Sequence, residues 1–264
     1  MRLFIKFGYI GWEYTGFQAG NGECSVEDTI QRELASAGIA DGIATAARTD
    51  RNVSAISNVL AVDTAAAPSK VIGILNSRIP AMIFHSWAEV PVGMNPRHCL
   101  SKSYRYMIPA RMVRDFDLLK RQVSAFAGTH DFSAFSRRDS RNPVRTISDV
   151  SVSGIGDLIE VEFRARSFLW NQIRSIVAFC LHYNARGEFI SDPFAIRDRF
   201  PLLAEPTRLI LNDIEYSGIL FTRLLSQSKM RNFSHMLETV EGRGIVSREL
   251  LSAFAGINSN IGKE

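Results

Sequence analysis

The chain has 264 residues, 46% of them hydrophobic and 22% charged, proportions that exclude a disordered or fibrous protein and allow a sizeable core in one or two domains. Its formal charge of +4 suits a polyanionic partner without demanding one. No uninterrupted apolar run approaches the roughly 18 residues a membrane helix needs, and "MRLFIKFGYIGWEY" carries no signal-peptide pattern, so the expectation is a cytoplasmic protein with no membrane association.

Leu3, Ile5, Phe7 and Tyr9 alternate along "RLFIKFGY" and predict a strand over 2–9, followed by a turning loop marked by Gly8, Gly11 and Gly16. Ser25 and Asp28 form a capping box ahead of Val26, Ile30, Leu34 and Ala37, which repeat at helical spacing up to Gly38. The loop "AARTDRNVSA" leads into a strand in "NVLAVDT", a helix after Pro68 in "SKVIGILNSRI" and an extended stretch near "FHSWAEV".

"KSYRYMIPA" then opens a second half with an aromatic strand. "DFDLLKRQVSAFAG" predicts a helix with Phe116, Leu119, Val123 and Phe126 on one face and Gly128 at its end. A hairpin of "TISDVSVSG" and "LIEVEFRAR" precedes a helix in "SFLWNQIRSIVAFCLHY", with Ser167 as its cap and Leu169, Ile173, Ile176 and Cys180 buried. "TRLILNDIEY" closes this half as a strand. The tail from about Ile219 reads as one or two short helices, the last capped by Ser247. The two halves repeat one pattern, which predicts an α+β chain with helices on one side of a largely antiparallel sheet. The divisions expected are 1–100, 101–218 and a helical extension over 219–264.

Cys24, Cys99 and Cys180 lie far apart without ligand spacing, and no H-E-x-x-H, P-loop or G-x-G-x-x-G occurs, so no disulfide framework, metal or nucleotide cofactor is expected. Two stretches point elsewhere. "SRRDSRNPVR" clusters Arg137, Arg138, Arg141 and Arg145 among small polar residues, a loop suited to phosphate contacts or to pairing with nearby Asp131 and Asp139. "ARTDR" sets Asp50 between Arg48 and Arg51, just before a strand. A lone loop carboxylate is usually a turn former. A neighbouring guanidinium, however, favours the ionised form that a carboxylate nucleophile requires, and the following strand could present it rigidly. Arg174 interrupts an otherwise apolar helix and needs an anionic partner unless it snorkels to the surface.

Five segments, in order over roughly residues 1–217, resemble the tRNA pseudouridine synthase A family. "ARTDRNVSA" is similar to its G-R-T-D-x-G-V-H-A signature, "GYIGWEYTGFQAG" to its Y-D-G-x-x-Y-x-G-[FW]-Q loop and "KSYRYMI" to its K-x-Y-R-Y strand; "GTHDFSAF" and "SFLWNQIRSIV" resemble its G-x-H-D-F-x-x-F segment and its F-L-x-x-M-V-R-x-[IM]-V helix. The resemblance implies the pseudouridine synthase fold: two ferredoxin-like or RRM-like halves in one continuous, mainly antiparallel sheet, helices on one side, and a central catalytic cleft. It implies a cofactor-free homodimer that isomerises uridine in the tRNA anticodon arm at positions 38 to 40. By the same resemblance Asp50 is the catalytic aspartate and Arg48 the residue that holds the target base out of the stack. Tyr104 is then the tyrosine stacked on uracil, Arg174 the basic partner of the aspartate, and Leu209 the leucine below the base. Ala47, Asn52 and Ser54 stand where the common pattern has Gly, Gly and His, and Arg208 replaces a glycine; the turn after the aspartate survives if Asn52 adopts a positive φ. Two rivals follow: a synthase of the same fold acting on another tRNA site or RNA, and a noncatalytic RNA-binding module. Mapping the product separates them.

Overall fold

The structure is a computed structural model that describes residues 1–20, 24–137 and 142–238, together with 250, 252 and 253 in the tail. Its elements in chain order begin with β1 (Arg2–Tyr9), α1 (Val26–Ser36), β2 (Ala44–Thr45), β3 (Ser54–Asp63), α2 (Pro68–Arg78) and β4 (Met82–Val90). They continue with β5 (Ser101–Pro109), α3 (Phe116–Ser124), β6 (Gly128–Asp131), β7 (Val144–Ile155), β8 (Leu158–Ala165), α4 (Gln172–Arg186), β9 (Leu209–Glu215), β10 (Thr222–Arg223) and α5 (Gln227–Glu238). The fold is α+β, and its strand pairings are mixed but mainly antiparallel.

Two compact units divide the chain: Met1–Leu100 with the described residues from Ile210 onward, and Ser101–Leu209. In the first, the strands run β10-β4-β1-β3-β9, with β2 also on β3. All pairs are antiparallel except β3 with β9, which runs parallel with Ser54 opposite Ile210. Nine of the ten residues of β3 are buried, so both faces of this central strand are covered. The alternation read in β1 is likewise incomplete, because Phe4 is as fully buried as Leu3 and Ile5.

Local chemistry explains the helix boundaries. Ser25 Oγ accepts the Asp28 N–H at 3.0 Å to open α1, and the chain leaves through Gly38 at φ +64°. Asp115 opens α3 in the same way, accepting the Leu118 N–H at 2.9 Å. Phe116, expected on the inner face of α3, is instead 38% exposed, because it is the first residue of the helix, where the turn has not yet swung onto the core. The start of α4 also differs from expectation. Ser167 is not its cap; the helix begins at Gln172 behind Asn171, which is left-handed at φ 65°. Gln172 Oε1 accepts the Leu169 N–H at 2.8 Å, which folds the preceding residues into a turn.

The second unit pairs β5-β8-β7-β6, all antiparallel. Its core is aromatic: Phe126 packs edge-on against Phe135 at 4.9 Å and against Phe194 at 5.5 Å, and His130 stacks on Phe194 at 4.1 Å. The "GTHDFSAF" segment thus contributes packing. In the tail, β10 pairs antiparallel with β4 and α5 buries Met230, Phe233 and Leu237, so the described tail is part of the first unit. Ser247 lies outside the described residues. Cys24, Cys99 and Cys180 are all free thiols. Among the described residues, no helix is long and apolar enough to cross a membrane.

Candidate active site

Asp50 lies between β2 and β3, and buried polar groups hold that connection against its strand. The Ala46 N–H reaches the Val59 carbonyl at 2.9 Å. Asn58, fully buried in β3, donates from Nδ2 to the Ala47 carbonyl at 2.9 Å while its Oδ1 accepts the Val59 N–H at 2.8 Å. Thr49 Oγ1 meets the Tyr9 hydroxyl at 2.8 Å. Burial pushes that phenol well above its ordinary range, so it remains a neutral hydroxyl. One side of the loop is therefore fixed immediately before the aspartate.

The other side is fixed by a tight turn. The Val53 N–H bonds to the Asp50 carbonyl at 3.2 Å, and Asn52 at the third position has φ 69°. A positive φ there is the mark of a type II turn, which asks for Gly or Asn. Asn52 therefore preserves the turn despite the departure from glycine. Gly11 lies directly against it: a Cβ on Gly11 would fall 2.3 Å from the Val53 carbonyl oxygen and 2.7 Å from the Asn52 carbonyl carbon. The Gly11 N–H donates to Ser54 Oγ at 3.0 Å, so the serine that stands in the histidine position secures this contact. Arg48 is exposed and donates from Nη1 to Gln18 Oε1 at 3.2 Å, which brings the "GFQ" and "ARTDR" segments to one place.

The remaining expected site residues belong to the second unit. Tyr104 on β5 is 8% exposed and meets Phe168 edge-on, with ring centroids 5.3 Å apart. Arg174, in the first turn of α4, donates from Nε to the Ala204 carbonyl at 2.8 Å and from Nη1 to Asn171 Oδ1 at 3.4 Å. The Arg174 carbonyl accepts the Ala204 N–H at 3.0 Å. Leu209, buried at the start of β9, follows a segment pinned by the Tyr106 hydroxyl on the Glu205 carbonyl at 3.1 Å; burial pushes the Tyr106 phenol up to about 12. Arg208 donates from Nη1 to Met112 Sδ at 2.9 Å. Tyr104, Arg174 and Leu209 are thus linked through the Phe168–Asn171 turn and the Ala204–Arg208 segment.

Arg137 donates its N–H to the Trp170 carbonyl at 2.9 Å and lays its guanidinium 3.9 Å from the indole centroid. Arg138 and Arg141 lie outside the described residues. Three participants escaped sequence reasoning. Gly11 was visible only as a loop glycine, Asn58 as a strand residue, and Trp170 as part of a helix that starts later than expected. The polarity of Asn58 inside an apolar run was the one local signal available. Among the described residues, no group of three or more His, Cys, Asp or Glu side chains could hold a metal ion. In the first unit the chemistry on offer is that of a carboxylate on a rigid turn with an exposed arginine close by in the chain; in the second it is an aromatic ring held by its edge.

A family model described as tRNA pseudouridine synthase matches residues 123–217. Over 222 residues the chain is 49% identical to a tRNA pseudouridine synthase A of Thermoplasma acidophilum, covering 83% of this chain and 86% of that protein. It is 43% identical over 223 residues to the protein of the same name from Picrophilus torridus, at 84% and 85% coverage. With that of Pyrococcus abyssi the identity is 35% over 247 residues, at 90% and 92% coverage.

Proposed function

The chain belongs to the tRNA pseudouridine synthase A family, and from that premise we propose that it isomerises uridine to pseudouridine in the tRNA anticodon arm, at positions 38 to 40, with Asp50 as the nucleophile. That it is an RNA pseudouridine synthase, an isomerase, follows from the family itself. The observation that carries the finer reading is the Asp50 turn: its backbone is anchored on one side through Thr49 on Tyr9 and closed on the other by the Val53 N–H on the Asp50 carbonyl, with the exposed Arg48 two residues before it. Such rigidity is what a nucleophile needs and a simple turn former does not.

In this reading the target uridine is first drawn out of its stem, which costs a few kcal/mol of stacking and pairing. Arg48 takes the vacated place in the RNA. Tyr104 stacks on the uracil, and such a contact contributes about 1–3 kcal/mol. Leu209 lines the space beneath the base, and Arg174 supplies the cationic partner of the aspartate. The Asp50 carboxylate attacks the nucleotide to form a transient covalent adduct; the bond from ribose to uracil nitrogen breaks, the base turns, and a bond from ribose to carbon C5 forms. The bond to Asp50 breaks to restore the carboxylate, and the proton lost from C5 is balanced by one taken up at the freed nitrogen. Nothing is oxidised or reduced overall, so the reading involves no redox cofactor. Arg137, Arg138 and Arg141 make the phosphate contacts. The working assembly is a cytoplasmic homodimer, which sedimentation tests by a mass twice the 29.5 kDa of one chain.

The deciding experiment incubates purified protein with a uridine-containing tRNA transcript and maps pseudouridine by carbodiimide modification and primer extension, beside Asp50→Asn. Product at positions 38 to 40 from the parent and none from the variant is the expected result. Equal product from both removes Asp50 from its role. Product at other positions overturns the anticodon-arm assignment, and tight tRNA binding without product overturns catalysis in favour of a binding module.

A further inference from the structure

Resting on the tRNA reading above, we propose that Trp170 and Arg137 form a stacking platform for one unpaired nucleobase of the tRNA, beside the residue being modified. Indole side chains are normally largely buried, yet Trp170 is 44% exposed between Leu169 at 6% and Gln172 at 1%. Its neighbours are anchored. The Leu169 N–H is held by Gln172 Oε1 at 2.8 Å, and Asn171 is fixed in the left-handed region with its Oδ1 on Arg174 Nη1. The backbone bond from Arg137 to the Trp170 carbonyl, at 2.9 Å, brings the two segments together, and the guanidinium then lies over one indole face at 3.9 Å from its centroid.

The pair is therefore assembled before any ligand arrives, and it offers a flat, cationic, solvent-facing surface. Nucleobases stack on indole rings and on guanidinium planes, and the cation also favours the polyanionic strand that carries them. A base within a helix has both faces covered by its neighbours, so the occupant that fits is an unpaired or extruded one. Three residues separate Trp170 from Arg174, with Asn171 bonded to the latter. A base held on the platform would thus sit within a nucleotide or so of the one under attack, where Arg174 serves as partner of the nucleophile, and the platform would fix the register of the substrate.

The test titrates the Asp50→Asn protein, in which turnover is blocked, with the uridine-containing tRNA transcript while tryptophan fluorescence is read. Trp12, Trp87 and Trp170 are the three fluorophores, so the contribution of Trp170 is the quench lost on Trp170→Phe. The expected result is a quench that Trp170→Phe largely removes. In addition, Trp170→Ala raises Kd about 5- to 150-fold, the range for loss of one stacked base, while Trp170→Phe retains most of the affinity. In the catalytic background, Trp170→Ala raises KM. An unchanged Kd for Trp170→Ala, or an undiminished quench in Trp170→Phe, overturns the platform. Thermal unfolding checks both variants; if Trp170→Ala does not fold, the quench in Trp170→Phe decides. A parent that binds tRNA with this quench but makes no pseudouridine refutes the isomerisation proposed above and leaves the platform standing, so the two failures are distinguishable.

Discussion

One added methyl group is a sharp test of the site. In Gly11→Ala the new Cβ would meet the backbone of Asn52 and Val53, with the nearest atom 2.3 Å away, and a backbone neighbour cannot rotate aside. The turn that presents Asp50 must shift. A displacement of about 1 Å in a catalytic group costs on the order of 100-fold in rate, while overpacking costs about 1–3 kcal/mol of stability. The expected outcome is a folded protein with kcat reduced on that scale, measured by pseudouridine formation at saturating tRNA alongside urea unfolding. An unaltered kcat would detach this turn from the chemistry. Asn52→Val tests the same turn from within, because a β-branched residue at φ 69° is strained by about 1–3 kcal/mol, whereas Asn52→Gly fits the conformation. The turn at Asn52 was legible in the sequence because its signature is a continuous stretch of chain. The Gly11 contact was not: it arises from the register of β1 on β3, which sets Tyr9 opposite Ala55 and carries the following residues past the turn.

Elements whose ends are fixed by their own side chains were likewise readable. Ser25 opens α1 and Asp115 opens α3 through bonds within three residues. The start of α4 was not readable, since it depends on how Gln172 folds the chain behind it, and β10 is a two-residue strand whose existence depends on pairing with β4. The same strand β4 carries a titration that sequence does not reveal. His85 is buried, with Nε2 3.2 Å from the Ile56 carbonyl and 3.3 Å from Ser57 Oγ, and Nδ1 3.0 Å from Ser86 Oγ. Burial, helped by the nearby Lys6 and Arg223 cations, lowers the imidazole from 6.5 to about 3. Between those values the unfolded chain holds a proton that the folded chain does not, so stability is complete above pH 6.5 and falls as acid is added, by at most about 1.4 kcal/mol per pH unit. Urea midpoints at pH 7 and pH 5 should therefore separate more in the parent than in His85→Gln. Equal separations would remove His85 from the acid response.

At the scale of the whole molecule, composition announced a sizeable core and a modest positive charge, and the repeated order of elements announced α+β architecture. The attachment of the tail was not announced, because it depends on contacts between residues far apart in the chain. Lys229 donates to the Ile79 carbonyl at 2.7 Å and to the Pro80 carbonyl at 3.3 Å, just past the end of α2. Phe233, 1% exposed, lies on the same helix. Lys6 joins these contacts, placing its ammonium 5.0 Å from the Phe221 ring centroid. A tail held this way is a structural component of the first unit, and ending the chain after Gly218 should lower its melting temperature. It would also bare the β4 edge, which invites association between chains. Phe233→Ala isolates the packing part, at an expected cost of about 3–5 kcal/mol in urea unfolding. Amide exchange in β4 should quicken in both variants, since the Leu224 N–H no longer reaches the His85 carbonyl in the first and α5 is loosened in the second. A truncated chain that melts with the parent and keeps slow exchange in β4 would show that the tail is carried without supporting the sheet.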